Sequence, residues 1–469
     1  MILKQFYLEC LSHASYLVAD DNSKRAIIVD PRRDIGDYLD EAQRHDLRIE
    51  GVINTHFHAD FVAGHHELVE ATGAWIGLGE AANTDYPIRR LSPGEHISLG
   101  DVDIEILPTP GHTWESISLL LRETADGAPT AVLTGDSLFI GDVGRPDLAN
   151  LGDGTNTDLA RAMYATIHGT LLQLPDDVQV LPAHGAGSSC GKNMSTELVS
   201  TIGEQRRINP SVQPMSEAEF VELVTSGQPA IPGYFTTDAE LNRRARTALN
   251  TWQPLSELTA DQIRGRLIDA RTVVIDTRTP EEFAENHLFR AVNVGLAGRF
   301  AETCGMVAGI EDDLVLVTAA GEEREAALRL SRIGYDNVVG FINTASDPSI
   351  PFPEELAGFV EHADRVQVGE LAGLLEQAAV TVLDVRNPGE REAGFIEGSI
   401  HIPLPELATR HSSLPEDKLL VVHCRSGWRS SVAASLLRAH GHEGTVDLVG
   451  GYTAWEPTSA PAAACNAGR

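Results

Sequence analysis

TVVIDTRTPEEFAENHLFRAVNVGL, residues 272–296, lies over VTVLDVRNPGEREAGFIEGSIHIPL, residues 380–404, without a gap and at a spacing of 108 residues. Asp276, Arg278 and Pro280 fall on Asp384, Arg386 and Pro388. Farther along, LVLVTAAGEEREAALRLSRIGYDNVVGF (314–341) parallels LLVVHCRSGWRSSVAASLLRAHGHEGTVDLVGG (419–451). A chain that repeats itself in this way builds one supersecondary unit twice. Each copy reads strand, loop, strand, loop, helix, which predicts two small α/β domains of about 100 residues with parallel sheets. The segment SDPSIPFPEE (346–355) is proline-rich and reads as a linker between them.

The residues before the repeat have a different rhythm. Short β-type runs end in polar clusters: AIIVD (26–30) in PRRD, IEGVIN (49–54) in THFHAD, DVDIEIL (101–107) in PTPGHT, TAVLT (130–134) in GDS, and DVQVL (177–181) in PAHG. Helical pattern intervenes at GDYLDEAQRHDL (36–47) and VAGHHELVEATG (62–73). Strands that end in functional loops predict a layered α/β domain with one active edge. The expected domains are 1–250, 251–360 and 361–469.

Charge and cysteine usage narrow the partners. The net charge of −32 opposes binding to nucleic acid phosphates and to anionic membranes. No run reaches the ~18 apolar residues of a membrane span. The N-terminal residues lack a long apolar run ending in a cleavage site, so the sequence reads as mature and cytoplasmic. Cys10, Cys190, Cys304, Cys424 and Cys465 are odd in number and widely spaced, with no CxxC pair.

Four of the strand ends carry metal-ligating residue types. NTHFHADF (54–61) supplies His56, His58 and Asp60, PTPGHT supplies His112, LTGDS supplies Asp136, and LPAHG supplies His184. Imidazole and carboxylate together suit zinc or iron. His65, His66 and His96 lie outside these clusters and read as ordinary surface or core histidines.

In its order of motifs the region 1–250 resembles the metallo-β-lactamase superfamily, whose fold is an αββα sandwich. Members of glyoxalase II type hold two metals with HxHxDH, a later His, a bridging Asp and a last His. Here Phe61 stands where the last residue of HxHxDH would be, and a phenyl ring cannot ligate. The chain looks most like the persulfide dioxygenase branch. That resemblance implies one Fe(II) per chain, with zinc as the alternative, held by His56, His112 and Asp136. Two histidines and a carboxylate leave positions open for substrate and O₂. His58, Asp60 and His184 then orient ligands or substrate. GDVGRPDLA (141–149) resembles the loop that follows the metal aspartate in that branch. Its Arg145 reads either as a partner for an anionic substrate or as half of an ion pair with a neighbouring Asp. Cys190, six residues after His184, reads either as a thiol carrier at the rim of the site or as an inert small residue.

HCRSGWRSS (423–431) follows an apolar strand and opens a helical pattern. A cysteine there lies at a helix N-terminus where backbone N–H groups converge on an anion, with Arg425 and Arg429 alongside. With DVR and SIHIPL upstream, the segment resembles rhodanese sulfurtransferases. The resemblance implies Cys424 as the sulfur acceptor and Arg425, Ser426, Gly427, Trp428 and Arg429 as its loop. In the first repeat Cys424 faces Leu316, Val317 or Thr318, depending on the gap, and VLVTAAGEERE has no cysteine. That repeat reads as a degenerate rhodanese domain.

The whole order resembles persulfide dioxygenase–rhodanese fusions. It implies an enzyme of sulfide detoxification that oxidises a small-molecule thiol persulfide with O₂ to sulfite and interconverts sulfite and thiosulfate through Cys424. A homodimer through the N-terminal domain is usual for the family. Two other readings compete: a zinc-dependent thioester hydrolase of glyoxalase II type fused to a sulfur carrier, and a non-enzymatic sulfur-relay scaffold. An RNA-processing role is opposed by the charge. Glutathione, coenzyme A, bacillithiol and free cysteine all fit as the thiol.

Overall fold

Strict alternation along the strands builds the N-terminal unit. In the strand His13–Asp20, Tyr16 and Val18 enter one apolar cluster while Leu17 and Ala19 enter another. Arg25–Val29 does the same, with Ile27 and Val29 on one side and Ile28 on the other. Side chains of period two that are apolar on both faces require cover on both faces. The inner cover is a second sheet, which contributes Ile104, Ile106, Leu119, Leu121 and Leu133 to the shared core. The outer cover is helical. Tyr38 and Leu68, on the helices Gly36–Arg44 and His65–Thr72, pack on the first sheet. Met163, Ile167, Phe220 and Val224, on the helices Asn156–Gly169 and Glu217–Thr225, pack on the second. The result is the expected αββα sandwich.

The structure, a computed structural model, describes residues 1–148, 155–249, 254–347 and 349–459. Cys465 and Ala149 lie outside the described residues. The chain divides into two compact units, 1–253 with 330–334, and 254–329 with 335–469. Among the described residues no helix is long and apolar enough to cross a membrane.

Each sheet of the first unit has six strands. One runs Ile2–Leu8, His13–Asp20, Arg25–Val29, Arg48–Ile53, Trp75–Gly79, Arg89–Leu91; the other runs Ser200–Thr201, Gln179–Pro182, Pro129–Gly135, Ile117–Arg122, Asp103–Pro108, His96–Ser98. The segments that carry His56, His112, Asp136 and His184 leave four of these strands at their C-terminal ends or just beyond. Backbone hydrogen bonds bring these segments together, from Ile117 N–H to Thr55 O and from Ala183 N–H to Gly135 O.

The second unit contains two wholly parallel sheets. In the first repeat the order is Val292–Asn293, Thr272–Asp276, Asp313–Thr318, Val338–Asn343. In the second it is Arg365–Val366, Thr445–Leu448, Leu419–His423, Val380–Asp384, Ile400–His401. Strand register resolves the alignment that the sequence left open. Asp276 pairs with Val317, and Asp384 pairs with His423, so Thr318 is the counterpart of Cys424.

The segment 346–355 is not a free linker. Phe352 is buried in the core of the first repeat beside Leu356 of the short helix Glu354–Phe359, and the strand Val360–Glu361 pairs with His287–Leu288. Ile350 stays exposed, while Phe352 re-enters the core.

Candidate metal centre and sulfur-transfer loop

His56, His58, Asp60, His112, Asp136 and His184 are all buried. His56, His58 and His112 are each fixed through one nitrogen, which decides what the other offers. His56 Nδ1 lies 2.9 Å from Thr55 Oγ1, and His112 Nδ1–H donates to the Arg145 carbonyl at 2.8 Å. Their Nε2 atoms stand 3.8 and 3.6 Å from Asp136 Oδ2. His58 is turned the other way, with Nε2 2.9 Å from Asp30 Oδ1. Gly144, in the loop 141–149, approaches too closely for any side chain: a Cβ there would stand 2.0 Å from the Asp136 carbonyl oxygen and 3.0 Å from His112 Nδ1.

Three overlapping clusters result among the described residues. Ligand atoms of His56, His112 and Asp136 lie within 4.8 Å of one another, as do those of His58, Asp60 and His184, and those of Asp136, His184 and Cys190. His56 Nε2, Asp136 Oδ2, His58 Nδ1 and Asp60 Oδ1 are buried and have no hydrogen-bond partner among the described residues. An unsatisfied buried polar atom costs roughly 1–3 kcal/mol. In each of the first two clusters the unsatisfied atoms fit a shared ion held about 2.0–2.2 Å from each ligand atom.

Protonation states agree with this fit. Burial opposes charge on Asp136, yet His184, His56 and His112 hold its carboxyl well below the usual range. Burial, and then His58, push His56 well below its ordinary value, so that it stays a neutral imidazole. A carboxylate and neutral imidazoles are the forms that bind metal. His184 differs. Burial opposes its charge, but Asp136 (2.7 Å from Nδ1) and Asp60 (2.8 Å from Nε2) raise it well above its ordinary value.

Phe61 is fully buried, with its ring 4.1 Å from His13, 4.3 Å from His58 and 6.4 Å from His184. It fills with carbon the side of the second cluster where another ligand would stand. Cys190 is buried with Sγ near Asp136 and His184. Burial, then Asp60 and Asp136, push its thiol well above its ordinary range. Arg145 is buried, its guanidinium paired with Asp147 at 2.6 and 2.8 Å and with the Ser189 carbonyl at 3.1 Å.

Sequence reasoning missed two residues of this site. Asp30 accepts hydrogen bonds from Thr55 N–H at 2.7 Å and Thr55 Oγ1 at 2.9 Å as well as from His58. An aspartate closing AIIVD was a visible signal, since other strand ends bear ligands. His13 lies against Phe61 and has no motif around it to betray it.

In the second unit, Cys424 directly follows the strand Leu419–His423 and is buried. Gly427 N–H donates to its Sγ at 3.2 Å, and Ser430 Oγ is 3.7 Å away. Arg425 and Ser426 are exposed and Trp428 is half-buried. Arg429 is held in a two-pronged pair with Glu390, both contacts at 2.7 Å. The loop backbone is pinned by Tyr452 N–H to Cys424 O at 2.7 Å and Thr453 N–H to Arg425 O at 2.9 Å. Arg386 lies over the Tyr452 ring at 4.2 Å and pairs with Asp384 at 2.7 Å.

Comparison with known proteins agrees with the folds of both units. Residues 8–184 match the metallo-β-lactamase superfamily, and residues 259–344 and 367–458 match the rhodanese-like domain. The chain is thus a metallo-β-lactamase-superfamily domain followed by two rhodanese-like domains. A metallo-β-lactamase structure from Staphylococcus aureus subsp. aureus COL superposes with a TM-score of 0.66 at 29% identity, covering 73% of this chain and 98% of that one. The human mitochondrial persulfide dioxygenase ETHE1 is 27% identical over 48% of this chain and 80% of its own length. A β-lactamase hydrolase-like protein of Xylella fastidiosa (strain 9a5c) is 26% identical over 47% of this chain. The chain spans about half the length of that relative, 54%.

Proposed function

We propose that the protein is an Fe(II)-dependent persulfide dioxygenase fused to a sulfurtransferase. The observation that carries this reading is the buried set of His56 Nε2, His112 Nε2 and Asp136 Oδ2, two imidazoles and one carboxylate around a single point. Likeness to a persulfide dioxygenase at 27% identity supports it. Ferrous iron bound there supplies open positions for a persulfide and for O₂. The overall reaction is R–S–SH + O₂ + H₂O → R–SH + SO₃²⁻ + 2H⁺.

In this reading Thr55 and the Arg145 carbonyl aim the two imidazoles, Asp30 holds the segment 55–58, and Phe61 excludes water and a further ligand. His184, shared between Asp60 and Asp136, holds a proton beside the substrate. Cys190, its thiol kept protonated by burial and by Asp60 and Asp136, packs the wall of the site, and Arg145 braces the loop that follows Gly141 through Asp147 and the Ser189 carbonyl. In the second rhodanese-like domain the Cys424 thiolate attacks the sulfane sulfur of thiosulfate. The S–S bond breaks, sulfite leaves, and the Cys424 persulfide anion is received by Gly427 N–H; the reverse transfer makes thiosulfate from sulfite. A cytoplasmic location and a homodimer through the N-terminal domain belong to the same reading.

The cluster His58, Asp60 and His184 favours the rival, a dinuclear zinc thioester hydrolase. Metal analysis joined to oxygen-electrode assays on glutathione, coenzyme A and cysteine persulfides separates them. One iron per chain with oxygen uptake is expected. Two tightly held zinc ions with thioester hydrolysis establish the rival.

A further inference from the structure

The first repeat has kept a full hydrophobic core and has Thr318, not a cysteine, at the position of Cys424. Its contacts suggest what it does instead. The helix Trp428–Ala439 begins in the loop that surrounds Cys424. Trp428, Ser431, Ser435 and Arg438 follow one another at intervals of three, four and three, which places them on one face. Every one of them meets the first repeat.

Ser431 Oγ donates to Asn293 Oδ1 at 2.7 Å, and Asn293 N–H donates to Ser435 Oγ at 2.9 Å. All three residues are buried. Arg438 lies over the Phe283 ring at 5.9 Å. At the loop end, a Cβ on Gly295 would stand 3.3 Å from Trp428 Nε1, so the indole rests on bare backbone.

Comparison of the repeats shows what Asn293 adds. Its counterpart is His401, whose Nε2–H donates to the Arg386 carbonyl at 2.8 Å. Asn293 Nδ2 makes the same bond, to the Arg278 carbonyl at 2.9 Å. The amide also has an oxygen, and that oxygen reaches across to Ser431. Asn293 therefore ties the Asp276–Arg278 turn of one repeat to the catalytic helix of the other.

We propose that the degenerate repeat, which has Thr318 at the position of Cys424, positions the sulfur-transfer loop, with Asn293 and Gly295 as its positioning residues. The inference rests on the reading of Cys424 as the sulfur acceptor. Asn293 sets the rotation and height of the helix, and Gly295 sets where Trp428 lies. Together they fix where Gly427 N–H points relative to Cys424 Sγ. A shift of about 1 Å in such a group costs up to about 100-fold in rate.

The test uses the full-length protein and thiosulfate:cyanide sulfurtransfer. Asn293→Leu and Gly295→Ala are each expected to lower kcat about tenfold, with the KM for thiosulfate and oxygen uptake close to wild type; Asn293→Leu also lowers the unfolding temperature, because Ser431 Oγ and the Asp276 and Arg278 carbonyls lose a buried partner, whereas Gly295→Ala unfolds near wild type. Trp428→Phe removes the atom that a Cβ at 295 meets, so it should restore much of the activity of Gly295→Ala. Asn293→Leu with Ser431→Ala should be no worse than Asn293→Leu alone, because both remove one contact. If Asn293→Leu does not fold, Gly295→Ala and its rescue decide the question. Folded Gly295→Ala with wild-type kcat, or a loss that Trp428→Phe does not relieve, overturns the proposal. Activity in the unmodified protein that survives Cys424→Ser overturns instead the reading on which it rests.

Discussion

Arg429 meets Glu390 through both guanidinium nitrogens, each 2.7 Å from a carboxylate oxygen. The cation expected to favour sulfur anions at Cys424 is therefore bound to an anion of its own domain. Burial opposes charge on Glu390, but Arg429 holds its carboxyl below the ordinary value, so the pair is charged at neutral pH. Its contribution is fully present above the usual carboxylate range and is lost as pH falls from there through the lowered value of Glu390. Arg429→Ala removes the cation that interacts with Cys424 and leaves Glu390 without this partner. It should lower kcat/KM for thiosulfate at least about tenfold. Adding Glu390→Gln should recover part of that loss by removing the repelling charge. A double variant slower than Arg429→Ala contradicts this account.

His56→Ala, His112→Ala and Asp136→Ala should each remove most of the iron and all oxygen uptake, measured by metal analysis and an oxygen electrode. Phe61→His should not raise dioxygenase activity, because it restores a position that this chemistry does not use. Two tightly bound zinc ions per native chain would rule out the single-iron reading.

Asp30 touches no metal-binding atom, yet three hydrogen bonds from Thr55 and His58 end on its carboxylate. Asp30→Ala should weaken iron binding about 10–100-fold. Competition against a chelator measures this without reference to activity. Unchanged iron affinity would show that the segment 54–61 holds itself.

Cys424→Ser should abolish sulfur transfer and leave oxygen uptake largely intact. Thiosulfate formation should stop and sulfite accumulate, which ion chromatography resolves. Loss of iron or of oxygen uptake in this variant would show that the two chemistries are not separable.

Thr318→Cys on a Cys424→Ser background restores the nucleophile at its structural position but not its setting. Thr318 is buried, with Oγ1 donating to Asn343 at 2.9 Å, and the loop beyond it carries Glu322, Glu323 and Glu325. Carboxylates about 4–6 Å away raise a thiol's pKa and disfavour a persulfide anion. Little or no thiosulfate:cyanide activity is expected, and replacing the whole segment with CRSGWRS should restore more. A tenth of wild-type activity from the single cysteine would show that backbone geometry alone makes the loop competent.

The 108-residue echo of Asp276 and Arg278 in Asp384 and Arg386 determined, with no structure, that the C-terminal half contains two alike parallel sheets. The runs that end at His56, His112, Asp136 and His184 likewise determined a layered domain with its ligands on one edge. Both are local properties: period-two burial and polar strand ends are written in neighbouring residues. Contacts between distant segments were not legible. Only the folded chain decided that Asp30 turns His58 away from the direction His56 takes, that Phe352 re-enters a core its prolines suggested it had left, and that register sets Thr318 opposite Cys424. Asn293 reaches Ser431 across 138 positions of sequence. Such pairings depend on how whole sheets and helices pack. An asparagine that bridges two repeats reads, within its own strand, like any other asparagine.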